Sequence, residues 1–162
     1  MARIDFRIAV VGERDAPLQL LDITEQVGAE LASRNALLVC GGMGGVMEAA
    51  ARGCTAAGGI VTGIIPTTAA SDANHFVTIP VVTGMGEGRN IIVVRSAQAV
   101  IAIGGSYGTL SEIALALRLG LPVVGLQTWI FFREQTAADP VVRVSTAKEA
   151  VDKAVQLARR ER

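Results

Sequence analysis

Apolar positions fall in short continuous runs separated by longer stretches whose apolar residues recur at helical spacing. The runs at residues 7–12 (RIAVVG), 36–42 (ALLVCGG), 60–66 (IVTGIIP), 99–103 (AVIAI), 121–126 (LPVVGL) and 141–145 (VVRVS) predict strands. Residues 77–84 (VTIPVVTG) predict another strand, and Pro80 assigns it to a sheet edge. Between them, residues 16–35 carry Leu18, Leu21, Ile23, Val27 and Leu31 on one helical face, with Asn35 as a stop signal. Helices are also predicted at 46–59, closed by Gly58 and Gly59, at 109–120 and at 146–162, while 88–97 reads as helix or strand by pattern and is assigned to helix because a strand follows at once at 99–103. In the last of these Thr146 and Glu149 form a capping box, and basic residues gather at the far end, where the helix dipole favours them. Residues 67–76 are the most polar stretch and predict a loop.

Strand and helix alternating at this spacing specify βαβ units. The expected fold is α/β: a single-domain, Rossmann-like, doubly wound parallel sheet with helices on both faces, occupying residues 1–162 without a linker.

Composition narrows the function classes. Apolar residues make up 51% of the chain and aromatics only 4%, which suits a sheet buried on both faces by Ala, Val, Ile and Leu. The 15 basic and 15 acidic side chains cancel, so no basic excess points to nucleic acid or an anionic membrane. No window reaches the roughly 18 apolar residues of a membrane span, and the first fifteen residues lack the plan of a signal peptide. A cytoplasmic protein is expected. Cys40 and Cys54 lack metal-ligand spacing and read as buried free thiols, and no metal site is expected.

Two strands run into glycine-rich turns of one plan: GGMGGVME at 41–48 and GGSYGTLSE at 104–112. Each places backbone N–H groups and a helix N-terminus at the carboxyl end of a strand, an arrangement that favours phosphate or carboxylate. Gly41, Gly42, Gly44 and Gly45 in the first turn are candidate phosphate-binding residues. So are Gly104, Gly105, Ser106, Tyr107, Gly108 and Thr109 in the second. If the two strands are near neighbours, both turns line one pocket. Known nucleotide fingerprints fit poorly. Thr109 stands where a Walker loop needs lysine, and the first strand leads into GERDAP (12–17) rather than Gly-x-Gly-x-x-Gly.

Residues 40–66 together with 83–126 closely resemble the Lonely Guy (LOG) superfamily, whose members were often labelled "possible lysine decarboxylase". Within it the match is best to the small bacterial proteins grouped with molybdenum cofactor carrier proteins. The family signature Pro-Gly-Gly-x-Gly-Thr-x-x-Glu falls on Gly104 to Glu112, with Gly104 in place of the proline and Ser106 in place of the second glycine. The Arg-Lys pair that precedes it falls on Arg89 and Asn90, so the lysine is absent. In active members the resemblance implies hydrolysis of a nucleoside 5′-monophosphate to base and ribose 5-phosphate, served by the arginine and the glutamate. Arg89 and Glu112 are therefore the candidate catalytic residues, and the glycine–threonine turn the phosphate holder. That hydrolysis requires no cofactor.

A carboxylate can activate water and stabilise an oxocarbenium-like centre, the two demands of breaking an N-glycosidic bond. Pyridoxal chemistry needs a lysine, and Lys148 and Lys153 lie far in sequence from both glycine turns, so lysine decarboxylation is not expected. The main expectation is a phosphoribohydrolase acting on an AMP-like purine nucleotide. The alternative is a non-catalytic carrier that binds molybdenum cofactor, a phosphate-bearing pterin. Glu48 is a further acid at the first turn, His75 a lone loop histidine, and Trp129 a packing or interface residue. Residues 109–121 are apolar over most of a helical circumference, and a homodimer or higher homo-oligomer, which the family also suggests, would cover them.

Overall fold

The computed structural model describes residues 4–135 and 138–160. The chain runs β1 (Phe6–Gly12), α1 (Leu18–Ser33), β2 (Ala36–Cys40), α2 (Val46–Ala56), β3 (Val61–Ile65) and β4 (Ile79–Val82). It continues α3 (Asn90–Arg95), β5 (Ala99–Ile103), α4 (Tyr107–Arg118), β6 (Val123–Leu126), β7 (Val142–Val144) and α5 (Ala147–Ala158). All seven strands are parallel, in the order β4-β3-β2-β1-β5-β6-β7.

Strand alternation sorts the core into two layers. Ile8 and Val10 of β1, Leu38 and Cys40 of β2, and Ile101 and Ile103 of β5 pack with α1, α2 and α5. Their neighbours Ala9, Val11, Val39, Val100 and Ala102 point the other way, onto α3 and α4. Every residue of β5 is buried, as a strand covered on both faces requires. The doubly wound α/β sheet expected from the sequence is thus the observed fold. Pro80 sits at the edge, where its missing N–H breaks no ladder. The β3–β4 connection contains only a short 3-10 turn (Ala70–Asp72), and all four residues of β4 stay exposed.

Every helix differs in its bounds from expectation: α1, α2 and α3 are shorter than 16–35, 46–59 and 88–97, and at α4 and α5 the caps give the reason. α4 starts at Tyr107 rather than 109, because Ser106 serves as its N-cap. α5 has the expected cap, Thr146 Oγ1 accepting from the Glu149 amide at 3.2 Å, while Glu149 reaches back to the Ser145 amide at 3.0 Å. It ends at Ala158 with no basic residue in its last turn. Arg159 instead lies over the Phe6 ring, and residues 161–162 of the expected basic end lie outside the described residues. No helix among the described residues is long and apolar enough to cross a membrane. Cys40 and Cys54 are free and buried, and burial pushes their thiols up to about 12 and about 11.

α1 and α2 touch backbone to backbone. A Cβ on Gly28 would overlap the Ala50 carbonyl and stand 2.7 Å from the Cys54 amide. A Cβ on Gly53 would overlap the Glu25 carbonyl of the facing helix. Neither obstacle is a side chain that could turn aside. Gly28→Ala is therefore expected to cost about 3 kcal/mol, the upper end of overpacking effects. Thermal denaturation should show a midpoint lower by about 6–12 °C, and an unchanged midpoint would contradict the contact.

Candidate functional site

The sheet order reverses between β1 and β5, since β1 is followed in sequence by β2 on one side and flanked by β5 on the other. At such a switch point the loops leaving the carboxyl ends diverge and leave a crevice. A cleft of about 670 Å³ opens there. Its wall brings together the loop after β1 (12–15), the turn before α3 and the start of α4.

Ser106, Tyr107, Gly108, Thr109, Arg89 and Glu112, all expected from the sequence, line this one cleft. At the start of α4 the Ser106 hydroxyl accepts from the Thr109 amide at 3.4 Å and shares a contact with Thr109 Oγ1 at 3.3 Å. The Tyr107 and Gly108 amides, the first two of the helix, donate to no group among the described residues. Two free N–H groups, two hydroxyls and the positive end of a twelve-residue helix suit an anionic oxygen cluster.

Glu112 is 7% exposed and lies in the second turn of α4, not the first. The helix dipole therefore does not account for it. Its carboxyl accepts no hydrogen bond and makes no ion pair among the described residues. Burial pushes it up to about 7, and the Arg89 charge works against that rise.

Arg89 is also 7% exposed, and three of its five N–H donors are committed. Nε donates to the Ile64 carbonyl at 2.8 Å, Nη2 to the Gly41 carbonyl at 3.3 Å, and Nη1 to Asn90 Oδ1. Burial pulls its pKa below the ordinary arginine value; Glu112 opposes that and the nearby Arg14 adds to it. Asn90, which the sequence marked only as a lost lysine, passes the link on through Nδ2 to Ser111 Oγ at 3.3 Å. It too lines the cleft.

The remaining candidates are placed elsewhere. Gly41, Gly42, Gly44 and Gly45 do not line the cleft, and α2 contributes only Met47 to it. β2 and β5 are not neighbours; β1 lies between them. The Gly42 carbonyl accepts from the Asn74 amide at 2.9 Å, and Gly45 lies under the loop after β1. Gly104 and Gly105 lie behind the helix start, Gly105 against the Trp129 indole. Trp129 Nε1 donates to the Ser106 carbonyl at 3.1 Å, and its ring lies 5.8 Å from that of Tyr107, a packing role that steadies the turn. Glu48 and the exposed His75 do not line the cleft.

Sequence reasoning missed Glu13, Arg14, Asp15, Pro66, Gly86 and Glu87 in the wall. The signal for the first three was the position of GERDAP at the end of the first strand, where a switch point puts ligands. Among the described residues no group of three His, Cys, Asp or Glu could hold a metal ion.

Three relatives place the chain. It is 41% identical over 121 residues to an uncharacterised protein of Archaeoglobus fulgidus, covering 75% of this chain and 80% of that one. The molybdenum cofactor binding protein from Rippkaea orientalis has a similar structure, with a TM-score of 0.83, 34% identity and coverage of 93% and 94% of the two chains. The molybdenum cofactor carrier protein from Chlamydomonas reinhardtii gives a TM-score of 0.85 and 32% identity, covering 94% of this chain and 98% of that one. A model of the SLOG cluster4 family matches residues 5–154, and the chain belongs to that family.

Proposed function

We propose that this protein binds molybdenum cofactor as its cargo and holds it without turning it over. The cargo is a pterin with a phosphate, which suits a cleft that offers free amides and hydroxyls at one helix start. The observation that carries the reading is the state of Arg89. Three of its five N–H donors go to the Ile64 and Gly41 carbonyls and to Asn90, and none goes to Glu112. The arginine–glutamate couple expected of a hydrolase is not joined, and the lysine beside it is Asn90. Likeness to two proteins described as binding or carrying the cofactor supports the same reading.

One observation favours hydrolysis of an AMP-like nucleotide as a second reading. A carboxyl raised to about 7 is well matched to general-base work at neutral pH. In either case the ligand is a small phosphate-bearing molecule. We extend the proposal to a homo-oligomer, since Tyr107, Ile130 and Phe132 are about 80% exposed and Leu110 and Leu117 of α4 are only partly covered.

Cofactor released from a molybdoenzyme, mixed with the protein and passed over a desalting column, should co-elute at about one molybdenum and one pterin per chain. The pair Ser106→Ala and Thr109→Val should weaken retention about tenfold, as loss of two hydroxyl contacts of roughly 0.5–1.5 kcal/mol each implies. AMP should release no adenine. Adenine release abolished by Glu112→Gln, with no molybdenum retained, would overturn the carrier reading.

Glu112 also sets a pH dependence. Its carboxyl moves from 4.5 to about 7 on folding, so between those values the folded chain holds a proton the unfolded chain has released. Stability therefore falls as pH rises through that window, by about 3 kcal/mol, and levels off above it. Glu112→Gln should melt about 8 °C higher than the native protein at pH 8 and at the same temperature near pH 4.5. An equal gain at both pH values would contradict the burial of an ionised carboxyl.

A further inference from the structure

The charges around the cleft do not match a simple phosphate site. Two arginines, Arg14 and Arg89, face four carboxyl groups: Glu13, Asp15, Glu87 and Glu112. Even with a proton on Glu112 the acids outnumber the bases, so a phosphate alone leaves carboxylates in the wall without a counterpart. An acidic wall is neutralised by hydrogen-bond donors. None of Glu13, Asp15 and Glu87 has an ion pair or side-chain hydrogen bond among the described residues, and the deeply buried Glu112 is likewise unpartnered. Acceptors left open at the mouth and at the floor of one cleft call for donors on the ligand.

In the first loop Glu13 is half-buried and held in place, whereas Asp15, like Glu87, is exposed. The Glu13 carbonyl accepts from the Val46 amide at 3.0 Å. A Cβ on Gly45, which sits at φ +66, would overlap the Glu13 and Arg14 carbonyl oxygens. The Glu13 carboxylate itself rests where a Cβ of Gly104 would come, 2.5 Å from that position. Both glycine turns thus serve as seats for the loop that follows β1. A carboxylate fixed in this way presents two oxygens side by side, the geometry that accepts two parallel N–H bonds.

A 2-amino-4-oxopyrimidine ring offers two such N–H donors, one on the ring nitrogen and one on the exocyclic amine. Pterins and guanine share this edge. Adenine presents an amine beside an acceptor nitrogen, and hypoxanthine lacks the 2-amino group. We propose that the carboxylates of Glu13, Asp15 and Glu87 make the cleft selective for a phosphomonoester attached to a 2-amino-4-oxopyrimidine ring. This rests on the proposed binding of a phosphate-bearing pterin and adds what reads the ring. Discrimination comes from leaving a carboxylate unpaired when the wrong ring enters.

Calorimetric titration of the whole protein with GMP, IMP and AMP tests it, because the three share phosphate and ribose and differ at the ring edge. GMP is expected to bind at least tenfold more tightly than either of the others. At least one of Glu13→Gln, Asp15→Asn and Glu87→Gln should bring GMP within threefold of IMP while binding inorganic phosphate more tightly than the native protein. Equal binding of the three nucleotides, tighter binding of AMP, or a GMP preference unchanged in all three variants would overturn the proposal. Loss of molybdenum retention is a separate result, so the carrier reading and the ring selectivity fail by different measurements.

Discussion

A buried guanidinium holds the carboxyl-end layer together. Taking a charge out of water costs several kcal/mol unless polar partners replace the solvent. Arg89 meets that demand with carbonyls from the ends of β2 and β3 and with the first side chain of α3. These acceptors come from three separate elements, so the charge stays solvated only while all three keep their positions. Through Asn90 and Ser111 the same chain of bonds reaches α4, which carries the two open amides and Glu112. The shape of the cleft wall is therefore an outcome of satisfying one cation.

The glycine turns take their meaning from the loop between β1 and α1. A strand-to-helix turn rich in glycine reads naturally as a ligand cradle, and the turn at 106–109 lines the cleft. The turn at 41–45 sits one strand further out, and the chain itself occupies it. Bare backbone there admits another backbone. Similar sequence patterns at two strand ends have thus been put to different uses, one open to solvent and one filled by the neighbouring loop.

Much of this was legible in the amino-acid order. Continuous apolar runs located the strands and helical spacing most of the helices, α3 being assigned because β5 follows it at once, and Pro80 marked its own edge position. What could not be read was lateral order. Two apolar runs of parallel strand carry no label saying which lies beside which, so β1 between β2 and β5 had to come from coordinates. The start of α4 was misplaced by two residues because Ser106 was weighed against a family glycine and not as a cap. Glu112 and Arg89 stood out by motif, but their burial did not, since a helical pattern does not rank one polar position below another. The acidic loop at 13–15 was overlooked because GERDAP was tested only against nucleotide fingerprints.

The glycine contact between α1 and α2 has a mechanical consequence. Helices separated by side chains can slide, because rotamers absorb small movements; helices whose main chains meet have no such cushion. α1 and α2 are coupled as a stiff lever, and the near end of α2 is the residue whose amide grips the loop carbonyl of Glu13. The distance from α1 to the loop at the rim of the cleft is thus set by main chain rather than by side chains.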